Sequence, residues 1–151
     1  MDFEVLLDDA DAEGLEIKER PFRTYDGRIR GNNIYLRKDM DSTAKKCVLA
    51  EELGHHYTSV GEILDMSDAG NRKQERQARL WGYDKLIGLG RLISAYEHGC
   101  HDRFELAEYL EVTDEYLHEC IECYRDKYGP CVTVGEYYIM FIPNLQVGKI
   151  I

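Results

Sequence analysis

Between Leu49 and Tyr57 the chain reads Leu-Ala-Glu-Glu-Leu-Gly-His-His-Tyr, the stretch richest in groups that can do chemistry. On a helix, residues four apart share a face, so Glu51 falls beside His55 and Glu52 beside His56. A carboxylate oxygen and an imidazole nitrogen at that spacing can hold one Zn²⁺ at about 2.0–2.2 Å each. The neighbouring carboxylate can then take a proton from water whose pKa zinc lowers toward about 7. The metallopeptidase pattern for this chemistry is His-Glu-x-x-His, with the Glu as base between two ligands. Here Glu51 stands where the first His would be, and the spacing is kept.

Two ligands are not a catalytic site, which needs three protein ligands and an open position. The next helical stretch offers Glu75, 20 residues beyond His55, and an antiparallel return would bring it to the metal. Two registers fit. Glu51 with His55 leaves Glu52 free as a base, whereas Glu52 with His56 does not. An ordinary charged helix face is the plain alternative. Against it stand the doubled Glu-Glu and His-His, Glu75, and Gly54. Glycine inside a helix costs about 1 kcal/mol against alanine, a cost expected only where another group must approach the backbone closely.

The surrounding elements must hold these groups. Residues 1–40 read as a short acidic lead (Asp8, Asp9, Asp11, Glu13) followed by three short strands with Gly and Asn between them. That pattern predicts a small antiparallel meander. From Asp41 or Ser42, either of which can cap, Val48, Leu49 and Leu53 recur at helical spacing. Ser59 to Asn71 reads as a loop, followed by helices over about 72–89, 102–110 and 113–127, with Leu92 to Glu97 between. The β-branched and aromatic tail, Val132 to Ile142, predicts one or two strands that must be paired or buried. The fold class is therefore α+β, with the motif on the first long helix. One domain is expected over 1–151: a sheet region 1–40, a helical region 41–128 and a strand-like tail 129–151.

Composition narrows the function. The 151 residues carry 19 Lys and Arg against 29 Asp and Glu, a net charge of −10. Such a balance disfavours direct nucleic-acid binding, leaving Arg72, Lys73, Arg76 and Arg79 as the visible basic cluster. No apolar run is long enough to span a membrane, and the N-terminus does not read as a secretory signal, so a cytoplasmic location is expected. Five irregularly spaced cysteines fit free thiols. Cys120-Ile121-Glu122-Cys123, with His118 and Cys131 nearby, supplies half of a structural zinc site and more simply reads as partly buried helix cysteines. The short helices around Glu105 to Cys120 have a helix-turn-helix rhythm, but their charge is acidic where a recognition helix is basic.

The run Leu49 to His56, with Glu75-x-x-Ala78-x-x-Trp81 on the following helix, resembles the ImmA/IrrE family of metallo-endopeptidases. The strand Asn33 to Leu36 looks like that family's sheet edge, and Phe104 to Thr113 like its downstream helical pair. The resemblance covers roughly residues 15–128. It implies a zincin-like helical domain, with Glu52 as general base and Glu51, His55 and Glu75 as zinc ligands. His56 would be a neighbouring support, and Tyr57 or Tyr83 a candidate to stabilise the oxyanion. Glu51 in place of the first His makes a harder, more anionic site and leaves the metal's identity open. The implied function is cleavage of a helix-turn-helix repressor, derepressing phage or mobile-element genes. The alternative is a non-catalytic regulatory module that keeps the fold and binds a repressor without cutting it.

Overall fold

The acidic lead is a helix. In the computed structural model, which describes residues 1–58 and 69–151, α1 spans Phe3–Ala12. Leu6 and Ala10, four apart and fully buried, form its inner stripe, while its acids face solvent and neighbouring cations. Asp9, for instance, lies 3.4 Å from Lys85 Nζ. Two buried residues in ten give too faint a periodicity to stand out beside four acids.

The three expected strands are present as β1 (Glu16–Arg20), β2 (Gly27–Arg30) and β3 (Asn33–Arg37). Their arrangement differs from the antiparallel meander. The order is β1-β3-β2, with β2 antiparallel to β3 but β1 parallel to it. Asn33 to Leu36 is therefore the centre of the sheet and not its edge. The tight turn Gly31-Asn32 joins β2 to β3, with Gly31 at φ 60°, a conformation glycine enters without steric cost. Period-two alternation turns Ile34 and Leu36 inward, where both are fully buried.

The inner face of that sheet rests on α2, Ser42–Thr58. Asp41 caps it, its Oδ1 accepting from Ala44 N at 2.8 Å. Leu49, Ala50 and Leu53 form its buried stripe. The loop expected over 59–71 falls, as far as residue 68, outside the described residues. From Ala69 the chain is already helical in α3, Ala69–Leu86.

The chain divides into two compact units, Met1–Lys85 and Leu86–Ile151. The second holds α4 (Gly88–His98), α5 (Arg103–Leu110), α6 (Asp114–Tyr128) and the strands β4 (Cys131–Val134), β5 (Tyr137–Met140) and β6 (Gln146–Lys149). Asp102 and Thr113 cap α5 and α6, accepting from Glu105 N and Tyr116 N at 2.8 and 3.1 Å. The aromatic tail forms the two strands β4 and β5, and β6 beyond it completes an antiparallel sheet with β5 in the middle, so Tyr137 to Met140 is paired on both sides. Ile139, Phe141, Tyr124 and Leu117 are fully or almost fully buried in this unit. Among the described residues, no helix is long and apolar enough to cross a membrane.

Ile34, fully buried on the central strand, carries the first unit's sheet. Ile34→Ala is expected to cost about 2–5 kcal/mol in urea unfolding, whereas Thr133→Ala, exposed on β4, stays within about 0.5 kcal/mol.

Candidate metal centre

Gly54 explains how two helices come to share one site. A Cβ built there would lie 2.1 Å from the carbonyl oxygen of Ala78 and 2.9 Å from its carbonyl carbon. The backbones of α2 and α3 therefore touch at Gly54 and Ala78, and no side chain fits between them. Glu51 lies one turn before Gly54, His55 directly after it, and Glu75 one turn before Ala78. The contact thus brings these three side chains together across the crossing.

Each of the three offers one ligand atom, and these atoms all lie within 4.8 Å of one another. His55 Nε2 and Glu75 Oε2 are 3.3 Å apart. Ligands at zinc bond lengths of about 2.0–2.1 Å in a tetrahedron stand about 3.3–3.4 Å from each other, so this pair already has the required spacing. Two carboxylates also neutralise the charge of a divalent cation. The trio fits such an ion. Among the described residues it is the one group of three His, Cys, Asp or Glu donors that converge this closely. None of the five cysteines is in a disulfide, and none belongs to such a group.

Glu52 sits beside the trio against the sheet. Its Cγ is 3.5 Å from where a Cβ on Gly27 of β2 would be, an ordinary contact distance, while the side chain that the strand's glycine makes room for is Val48. Burial, then the charges of Glu51 and Glu75, push its carboxyl up from 4.5 to about 7. A cation held by Glu51 and Glu75 offsets the second and third of those causes and leaves burial as the first.

His56 points elsewhere. Its Nε2 is 3.8 Å from Glu13, the residue that follows α1, and its ring meets Tyr57 edge-on at 5.0 Å. Tyr57 stacks on Trp81 of α3 at 4.9 Å, so the aromatic pair spans α2 and α3 one turn beyond the glycine contact. The hydroxyl of Tyr57 is raised above its ordinary range, first by desolvation and then by Glu13. Tyr83, the other oxyanion candidate, is buried at 3% exposure.

Arg79 is a member of the site that sequence reasoning placed only in a basic cluster. Its Nε lies 3.5 Å from Glu75 Oε1 and 3.8 Å from Glu51 Oε1. The signal was present in the four-residue spacing from Glu75 to Arg79, the favoured order for a helix ion pair.

Residues 10–121, about three quarters of the chain, match the family model described as IrrE N-terminal-like domain, Peptidase_M78. The chain belongs to this family. As an IrrE N-terminal-like domain it falls in a metallopeptidase family, and its Glu-His-Glu cluster is a possible metal site. One curated relative, the ribosomal RNA large subunit methyltransferase K/L of Marinobacter nauticus, is 27% identical over 89 residues. Those residues are 58% of this chain and 12% of that protein, so the chain spans only a small part of its length and the likeness assigns no activity. No solved structure matches significantly.

The glycine contact can be tested by the sign of one substitution. At an unobstructed helical position Gly→Ala stabilises by about 0.4–1 kcal/mol. Gly54→Ala should instead lower the unfolding midpoint and abolish metal uptake, because the atoms in the way are the helical backbone of Ala78, which cannot swing aside as a side chain would. Calorimetry and metal analysis of the same preparation would read both.

Proposed function

We propose that this IrrE N-terminal-like domain is a zinc-dependent endopeptidase whose substrate is a helix-turn-helix repressor, working in a zincin-like arrangement. The observation that carries the reading is the convergence of Glu51, His55 and Glu75 beside the half-buried carboxyl of Glu52. When bound, a divalent cation supplies Lewis-acid polarisation of the scissile carbonyl and acidifies water. Glu51, His55 and Glu75 would hold it. Glu52, close to the trio but outside it, takes the proton of the attacking water and returns it to the leaving amine. Its burial, the cause that remains once a cation is held, raises the carboxyl above its ordinary range and so makes it a stronger base for the first transfer.

The sheet supports a peptide substrate as well. β2 is an edge strand carrying Gly27 against α2, beside Glu52. An extended peptide can add to such an edge through main-chain hydrogen bonds, which brings a peptide bond near the helix without demanding a sequence.

One observation favours the non-catalytic alternative. Arg79 already offers a positive charge to both Glu51 and Glu75, which could satisfy the acidic pair without a metal. At 54% exposure its ion pairs are weak ones, well below what a coordinated dication provides.

Metal content of protein purified without chelator decides between the readings. About one zinc per chain is expected, lost in His55→Ala and kept in Glu52→Gln. Glu52→Gln should also slow repressor cleavage by about 10²–10⁴-fold while repressor binding persists. Wild-type protein that takes up no zinc, yet binds repressor, would establish the regulatory module instead.

A further inference from the structure

The chain's acidity is unevenly spread. Residues 16–40 hold seven of its nineteen basic residues and four of its twenty-nine acidic ones, a local charge of +3 within a total of −10. Strand register places much of this charge together. Tyr35 of β3 is directly opposite Lys18 of β1 and Arg28 of β2, on the face turned away from buried Ile34 and Leu36. Arg20, Arg28 and Arg30 line a depression of about 390 Å³ with the rings of Phe22, Tyr25 and Tyr35. No carboxylate lines it. Among the described residues none of these three guanidiniums forms an ion pair, although Lys18, Arg37 and Lys45 close by each have a carboxylate partner.

Guanidiniums and rings alternate across the depression. The Cζ of Arg20 is 5.8 Å from the Tyr35 centroid, and that of Arg28 is 5.8 Å from the Tyr25 centroid. Phe22 bridges the two tyrosines, at 4.7 Å from Tyr25 and 6.3 Å from Tyr35. From this we infer that the outer face of the first sheet is a binding surface for single-stranded nucleic acid. Arg20 donates to the backbone carbonyl oxygen of Glu19 and Arg28 to the Tyr25 hydroxyl, both neutral acceptors. A single strand presents a phosphate and a planar base in every repeat, matching both these uncompensated guanidiniums and the rings. An acidic peptide answers the charge but leaves the rings without a partner. Duplex DNA hides its base faces in the stack. The face lies within one unit and is independent of the metal centre on the sheet's other side.

The test is fluorescence anisotropy of a labelled twelve-residue oligothymidylate. Three phosphate contacts predict a slope of log affinity against log salt of roughly −2, or roughly 20-fold weaker binding at 200 mM than at 50 mM salt. Arg28→Ala with Arg30→Ala, both exposed, should weaken binding at least 10-fold and reduce the slope by about 1.4. Tyr25→Ala should weaken it about 10-fold with the slope unchanged, because stacking releases no counterions. Lys73→Ala with Arg76→Ala removes the same charge from α3 and should leave binding as it was. Three results would overturn the inference: no binding at 50 mM salt, equal loss in the α3 control, or equal binding of a labelled oligoglutamate. The last would mark the face as a surface for acidic proteins.

Discussion

The contact between Gly54 and the backbone of Ala78 is the constraint on which the first unit's chemistry depends. Helices normally pack with axes about 8–10 Å apart, separated by side chains. Glutamate and histidine are short relative to that gap if they must meet around a single ion. Removing the side chain at the crossing lets α2 and α3 close on each other, and the residues one turn away then reach a common point. Glycine's loss in helix propensity is thus the local cost of a shared site. Tyr57 on Trp81 holds the same two helices together on the other side of the crossing, with no polar group to compete for the metal ligands.

Charge imposes the second requirement. Glu51, Glu52 and Glu75 gather three carboxylates in a partly buried space, and the protein answers this in two ways. Glu52 is driven toward its neutral form, and Arg79 approaches the other two. Both are responses to a site with more negative charge than its surroundings solvate. A dication between Glu51, His55 and Glu75 meets the same need more completely, and the His55–Glu75 spacing already suits one.

What could be read from the sequence follows the range of the interactions involved. The pairing of Glu51 with His55 is set by one helix turn and was legible, as were the cap Asp41 and the starts of the helices that follow Asp102 and Thr113. Gly54 signalled a close approach, but its partner Ala78 lies 24 residues away across a connection whose course no local pattern specifies. Glu75 was legible only as a carboxylate at a suitable distance along the chain. The parallel pairing of β1 with β3 escaped because alternation reports which residues face inward, and never the direction of the neighbouring strand. α1 escaped because its buried stripe is Leu6 and Ala10 alone, beside an acidic run that suggests solvent.

The basic face shows the same limit from the other side. Lys18, Arg28 and Tyr35 are scattered over eighteen positions, and nothing in their spacing joins them. Only register, with β3 inserted between β1 and β2, makes them neighbours. Net charge averages that arrangement away, since an anionic ligand meets the field of the nearest groups within roughly a Debye length of 8–10 Å. The rest of the chain's acid acts at longer range and is screened. A net charge of −10 therefore lowers the rate at which polyanions meet this protein, while the local geometry of guanidiniums and rings governs what stays bound.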